Sequence, residues 1–249
     1  EEFDPDAIVY VTDARQQNHF RQIFAVARRM GILTNLEHVW FGLMRLPEGA
    51  FSTRDGNVIR LTALLSEAQS RAQKIVEKSS PQMSPEEKKR VARAIGIGAV
   101  KYADLSQNPQ TDVTFTWEKA MSMEGNSAPY LQYVFARISS VCDKYANQFP
   151  DLSLEAFPIR LTEPVEHQLG AHLVRFPDML LKACWQYRPN ILADYLYELS
   201  QIYNRFYQGV PFLKAPEGTR ESRVRLCGLV AATLKLGLDL MGIETPERI

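Results

Sequence analysis

From residue 61 onward nearly every segment repeats its apolar residues at helical spacing, and proline cuts the pattern into helix-length pieces. The cuts fall at Pro150, Pro158, Pro164, Pro177, Pro189, Pro211 and Pro216. Proline lacks the N–H that an interior helical position must donate, so it sits at starts and between elements. The spacing predicts helices over 61–78, from Ser84 to about Leu105, and over about 129–148, 163–174, 178–187, 190–208 and 219–242. Ser84-Pro85-Glu86-Glu87 is the firmest start, with serine at the N-cap, proline at the first helical position and Glu87 as capping-box partner. The longest apolar stretch, Leu226 to Ile243, carries Lys235, Asp239 and three glycines, so it reads as a buried amphipathic helix rather than a membrane span.

The first sixty residues have a different grammar. Ala7 to Thr12 is a short β-rich run, read as a buried strand. Asp13 stands at an N-cap position, and Phe20, Ile23, Phe24 and Ala27 give the helix that follows an apolar face up to Met30 and Gly31. His38 to Met44 reads as a second strand. Two strands joined by a helix predict a parallel βαβ unit, with any ligand at the carboxyl ends of the strands. A glycine-marked loop, Pro47 to Asn57, follows, and Asp112 to Trp117 reads as one further short strand. The predicted fold class is mainly α: one βαβ unit as a partial α/β Rossmann segment, then an α-helical bundle.

Charge narrows the function. Lys and Arg number 29, Asp and Glu 29, which excludes a polybasic, nonspecific nucleic-acid binder but leaves a local basic face open. Lys88, Lys89, Arg90, Arg93, Arg220, Arg223 and Arg225 are candidate phosphate contacts, against the blander reading of solvated charged faces. Cys142, Cys184 and Cys227 lack CxxC spacing and read as reduced core thiols. His167 and His172 are five apart, off a common helical face, and no metal site is read. The acidic start lacks the apolar core of a signal peptide, and a cytoplasmic location is expected.

Four stretches can carry chemistry. Thr12 to Phe20 turns a strand end into a helix N-terminus crowded with Asp13, Arg15, Gln16, Gln17, Asn18 and His19, able to hold polar ligands or serve as a solvated cap. Gly49 to Gly56 sets Ser52, Thr53 and Arg54 between glycines, a loop able to close over phosphate or an ordinary surface turn. Met121 to Tyr133 leads a Gly-Asn turn into a helix where Tyr130, Tyr133 and Arg137 share a face, suited to stacking on unpaired bases or to core packing. Tyr187 to Tyr207 is tyrosine-rich, and most of those rings read as core.

In order, these blocks resemble the arginyl-tRNA synthetases, class I aminoacyl-tRNA synthetases. The resemblance rests on Tyr10 to Phe20, His38 to Leu43, Phe51 to Gly56, Met121 to Tyr133, Arg175 to Asp178, Tyr195 to Leu199, Gly242-Ile243 and Pro246 to Ile249. It implies that residues 1–75 are the carboxyl part of a class I catalytic domain with a KMSKS-like loop. Residues 76–249 would be a helical linker and a DALR-type anticodon-binding domain. It implies that Gln16 binds arginine, that His19, Val39, Phe41 and Gly42 face the nucleotide, and that Ser52, Thr53 and Arg54 act at the ATP phosphates. Ser122, Asn126, Tyr130, Tyr133, Arg137, Tyr207 and Ile249 would contact tRNA. ATP with Mg²⁺ is then a substrate, tRNA(Arg) and arginine the other partners, no membrane is involved, and the family is usually monomeric. A HIGH-type motif does not occur between Glu1 and Ile249, so this chain alone is expected to bind tRNA without full catalysis. The alternative is a free-standing tRNA-binding module descended from the synthetase.

Overall fold

A computed structural model describes residues 5–46, 49–50 and 60–249. The chain divides into two compact units, Glu1–Val58 with Gln107–Thr116, and Ile59–Ser106 with Trp117–Ile249.

In the first unit, β1 (Ala7–Asp13) lies parallel to β2 (Asn35–Phe41), in register from Ala7 opposite Asn35 to Asp13 opposite Phe41. A single 3-10 turn (Ala14–Gln16) leads into α1 (Gln17–Arg29), which makes the connection. This is the expected βαβ unit. Phe20 and Ala27 form the buried stripe of α1, and the Tyr10 ring meets Phe20 at 5.0 Å and Phe24 at 5.6 Å between centroids. The expectation of a buried first strand is corrected, since Ile8, Val9 and Val11 are 36, 39 and 63 % exposed. Their sheet has two strands among the described residues, with α1 packed on it, and that is too little to cover both faces.

The second strand starts and ends three residues earlier than its composition suggested. At Gly42 the chain meets the returning segment 109–112: Gly42 N–H donates to the Pro109 carbonyl at 2.8 Å, and a Cβ would stand 2.4 Å from the Thr111 carbonyl oxygen. Beyond it, β3 (Met44–Leu46) pairs antiparallel with β4 (Gly49–Ala50) and parallel with β5 (Val113–Thr114). Asp112 holds this junction, accepting from Leu43 N–H and from the Arg45 guanidinium, both at 2.9 Å. Those bonds keep its carboxyl below the usual carboxylate range.

The second unit is helical. An antiparallel pair, α2 (Leu61–Ser79) and α3 (Pro85–Leu105), buries Ala72 and Val76 against Val91, Ala92 and Ile95. Small residues let the two backbones close: a Cβ on Gly96 would lie 2.7 Å from backbone atoms of Ala68 and Gln69. The Ser84–Glu87 capping box is formed in both directions, as read from sequence. After α4 (Trp117–Ala120) come α5 (Ala128–Gln148), α6 (Pro164–Leu173), α7 (Phe176–Gln186), α8 (Pro189–Gly209) and α9 (Thr219–Leu240). Their shared core includes Leu131, Ile138, Leu169, Leu196, Leu199, Phe206, Leu234 and Leu238. Of the tyrosines read as core, Tyr195 and Tyr203 are buried, Tyr197 is half-buried, and Tyr187 and Tyr207 are exposed.

Two buried carboxylates fasten the start of α9. Glu166 accepts from the Arg223 guanidinium at 2.7 Å and from the N–H groups of Thr162 and Glu163 at 2.6 and 3.0 Å, while Arg223 also donates to the Pro211 carbonyl. Desolvation pushes the Glu166 carboxyl up, but the backbone donors and Arg223 together outweigh it and hold it low. Glu221 takes Gly218 N–H and the Arg220 guanidinium, whose other side lies 3.8 Å over the Phe149 ring. Arg223 is thus neither a phosphate contact nor part of a solvated face: burial leaves it no route to either. Arg220 and Arg225 are likewise turned to protein partners, Arg225 to the Phe157 carbonyl. By contrast Lys89, Arg90 and Arg93 lie exposed on α3. The thiol reading also needs correction: Cys227 is buried and Cys142 half-buried, but Cys184 is exposed on the outer side of α7.

The last residues fold back on the bundle. Ile243 is buried, the Lys101 ammonium donates to the Gly242 carbonyl, and the buried Gln132 amide donates to Ala94 and Glu244 carbonyls at 3.2 and 2.7 Å. Ile249 packs on the α2–α3 core beside Met83 and Met121.

Candidate functional site

Each unit brings together part of the residue set singled out from sequence. In the first unit the parallel register puts Asp13 opposite Phe41, so the N-terminal turn of α1 and the end of β2 share one edge. Gln16 and His19 sit on that turn, and both are exposed. Val39 is half-buried within β2, Phe41 is exposed at its end, and the Gly42 N–H is already taken by Pro109. Asp13 caps the turn by accepting from Arg15 N–H at 2.8 Å and holds the Arg15 side chain in an ion pair at 2.7 Å. That pairing lowers the Asp13 carboxyl and raises the Arg15 guanidinium. Behind the edge, the Thr12 hydroxyl and His38 Nε2 are 2.8 Å apart, and the His38 ring stacks on Phe20 at 4.5 Å. Ser52, Thr53 and Arg54 lie outside the described residues.

In the second unit, α5, α8, the turn between α2 and α3, and the chain end enclose an open cleft of about 710 Å³. Tyr133, Arg137, Tyr207 and Ile249, distant in sequence, all line it. Helical spacing on α5 puts Tyr133 and Arg137 on neighbouring turns, and the packing of α8 brings Tyr207 opposite. The Arg137 guanidinium lies between two rings, 4.8 Å from the Tyr133 centroid and 5.1 Å from that of Tyr207. Neither ring is core, since Tyr133 and Tyr207 are 39 and 37 % exposed. Two phenols and a planar cation, partly open to solvent, form a platform for flat or anionic ligands. The rest of the lining mixes charges: Lys144 and Arg248 against Glu87, Asp143 and Glu247. Glu87 is held low chiefly by its Ser84 backbone hydrogen bond.

Ser122, Asn126 and Tyr130 do not line that cleft. The Ser122 and Ser127 hydroxyls knit the 122–127 turn, and the Asn126 carbonyl accepts from the Tyr102 hydroxyl at 2.6 Å. Tyr130 bridges the two places: its ring lies 5.7 Å edge-on to Tyr197, and its hydroxyl reaches Asn204. Sequence reasoning missed Asn204, a lone amide on α8 whose partners lie 67 and 74 residues away.

Two family models match the chain in tandem: the class I tRNA synthetase (R) catalytic domain over residues 1–117, and the DALR anticodon binding domain over residues 131–249. Proteins named arginine–tRNA ligase match over nearly all of it. The Fusobacterium nucleatum protein is 44 % identical over 241 residues, 97 % of this chain and 42 % of that protein. The Synechocystis protein is 45 % identical over 252 residues, 98 % of this chain and 43 % of that protein. The chain belongs to the arginyl-tRNA synthetase family. Among solved structures, Thermus thermophilus arginyl-tRNA synthetase superposes with a TM-score of 0.88 at 28 % identity, over 98 % of this chain and 41 % of that one. The Plasmodium falciparum arginyl-tRNA synthetase, at 24 % identity and a TM-score of 0.81 over 98 % of this chain and 41 % of that one, shares the fold. The chain spans less than half the length of the curated relatives it matches. Within this arginyl-tRNA synthetase relative, the strand-end edge lies in the part matched by the catalytic model and the Tyr133–Arg137–Tyr207 cleft in the part matched by the anticodon-binding model. Among the described residues no group of His, Cys, Asp and Glu is arranged to hold a metal ion, and no helix is long and apolar enough to cross a membrane.

Proposed function

We propose that this chain is the tRNA-reading portion of an arginine–tRNA ligase, together with one edge of its nucleotide site. The observation that carries the reading is the cleft in which the Arg137 guanidinium stands between Tyr133 and Tyr207 beside Ile249. Unpaired bases stack on such surfaces, at about 1–3 kcal/mol per base, and a guanidinium supplies donors for their edges or phosphates. Residues 76–249 form the helical linker and anticodon-binding domain, with Ser122, Asn126 and Tyr130 contacting the same RNA beside the cleft. Residues 1–75 are the carboxyl part of the catalytic domain. There Gln16 holds arginine, and His19, Val39, Phe41 and Gly42 face the adenosine of ATP. Ser52, Thr53 and Arg54 act at the phosphates, which arrive with Mg²⁺.

In the complete reaction the arginine carboxylate attacks the α-phosphorus of ATP and pyrophosphate leaves, giving arginyl-AMP; a ribose hydroxyl of the terminal adenosine of tRNA(Arg) then attacks the arginyl carbonyl and AMP leaves. Such a reaction is driven by positioning and charge stabilisation. This chain supplies only the edge named above, so it binds tRNA in the cytoplasm without completing the reaction unaided.

The test is titration of the purified chain with transcripts of tRNA(Arg) and of an unrelated tRNA across a salt series. A preference for tRNA(Arg) that Tyr133→Ala and Tyr207→Ala each weaken about tenfold supports the reading. Equal affinity for both transcripts refutes it. Arginine-dependent ATP–pyrophosphate exchange by the chain alone would refute the claim of incomplete catalysis.

A further inference from the structure

We infer that Asn204 is a positioning residue for the cleft, fixing the Arg137 guanidinium and leaving the Tyr130 hydroxyl proton for a ligand. The inference rests on the tRNA-binding reading above.

The geometry leaves the Asn204 amide one orientation. Arg137 Nη1 is 2.9 Å from Asn204 Oδ1, and a guanidinium has only donors, so the oxygen must face it. The amide nitrogen then faces Tyr130 and donates to its hydroxyl oxygen at 2.7 Å. Tyr130 is thereby the acceptor in that bond, which leaves its own proton for an acceptor other than Asn204. A directed chain results: Arg137 donates to Asn204, Asn204 donates to Tyr130, and Tyr130 keeps a proton to donate. Asn204 is half-buried, its neighbours on α8 are the buried Tyr203 and the exposed Tyr207, and no second polar side chain reaches the Arg137 Nη1 donor among the described residues.

Ring stacking alone would not define the arginine. Attraction to two phenol faces holds a guanidinium near them without fixing the direction of its N–H groups. A single edge bond supplies that direction. With one N–H of the guanidinium committed to Asn204, its other donors hold a fixed direction in the cleft, which is what recognition of a nucleotide edge requires. The ligand class is an unpaired nucleotide that offers acceptors to the arginine and to the Tyr130 hydroxyl together.

The experiment is binding of a tRNA(Arg) transcript to the full chain carrying Asn204→Ala, Asn204→Asp, Arg137→Ala, and Asn204→Ala combined with Arg137→Ala. Asn204→Ala is expected to weaken binding about tenfold with an unchanged melting temperature, and to cost clearly less in the Arg137→Ala background, where only its bond to Tyr130 remains to be lost. Asn204→Asp keeps the shape but places a carboxylate against the guanidinium and accepts from Tyr130, turning that proton inward. It is expected to bind more weakly than Asn204→Ala, whereas a purely structural need for a polar side chain would make it the milder change. The aspartate variant also covers the case in which the alanine variant does not fold. Independent, additive losses from Asn204→Ala and Arg137→Ala, or an aspartate variant that binds as well as the parent, would overturn the role of Asn204 while leaving the cleft intact. Arg137→Ala without effect would overturn the cleft reading itself, and the role of Asn204 with it.

Discussion

Removing the Glu166 carboxylate should be among the most damaging single changes outside the hydrophobic core. Glu166 and Arg223 are 1 and 7 % exposed, and water does not replace a lost partner cheaply at that depth. Glu166→Ala strips Arg223 of its counter-ion and leaves the Thr162 and Glu163 N–H groups without their acceptor. An unpaired buried cation alone costs about 3–5 kcal/mol. Arg223 keeps its bond to the Pro211 carbonyl, which favours the lower half of that range, so about 4 kcal/mol is expected with the freed backbone donors included. Arg223→Met leaves the carboxylate its two backbone donors and should cost less, about 2–3 kcal/mol. Together the two changes should cost less than their sum by about 2 kcal/mol. The assay is urea denaturation followed by helical circular dichroism. At a slope of about 2 kcal/mol per molar urea, Glu166→Ala moves the midpoint down by about 2 M. The carboxyl is held below its unfolded value, so its contribution is complete above about pH 4.5 and is lost as pH falls through the folded value. The gap between parent and Glu166→Ala should therefore narrow in acid. A cost below about 1 kcal/mol, or strict additivity with Arg223→Met, would refute the picture of a dry, mutually dependent pair.

Three further outcomes are expected. Gly96→Ala puts a methyl 2.7 Å from the α2 backbone and should destabilise the chain by about 1–3 kcal/mol in the same assay; an unchanged midpoint would mean that the two helices separate freely. His172 is stacked on Tyr195 at 4.3 Å, and desolvation lowers its pKa despite the Tyr195 carbonyl bond. The unfolded chain then binds the extra proton first, so stability is full above about pH 6.5 and declines below it. His172→Gln should flatten that decline between about pH 7.5 and 5.5, and an identical slope would assign it to other groups. Cys184 should react promptly with a disulfide reagent in the native chain, while Cys227, buried and pushed up in pKa, reacts only on unfolding; Cys184→Ser should abolish the fast phase.

What the sequence revealed was mostly local. The Ser84–Glu87 box, the prolines at helix starts and the glycine after α1 each act within a turn or two, and the helices stand within a few residues of their expected bounds. Tyr133 and Arg137 shared a face by spacing alone, but their burial did not follow from spacing, because a tyrosine stripe packs in a core or on a platform depending on what lies opposite. The binding of Arg223 by Glu166, the grip of Asn204 on Arg137, and the return of 107–116 to the first unit join residues 57 to 69 positions apart. No periodicity records such pairs. β1 was misjudged for the complementary reason: β-branched composition states what a strand prefers to bury, not whether a covering layer exists.

The seam at Gly42 and Asp112 imposes an order on synthesis. Arg45 meets Asp112 across 67 residues, so the β3–β5 strip of the first unit stays unpaired until the whole α2–α3 hairpin has been made. That hairpin, built from near neighbours, is the piece that closes quickly, and it shortens the distance over which the later strand must be found. The chain crosses between units three times, at 58/59, 106/107 and 116/117, so no single cleavage yields both units whole. A nick in the turn before Ser84 would leave two pieces, each holding one half of the seam.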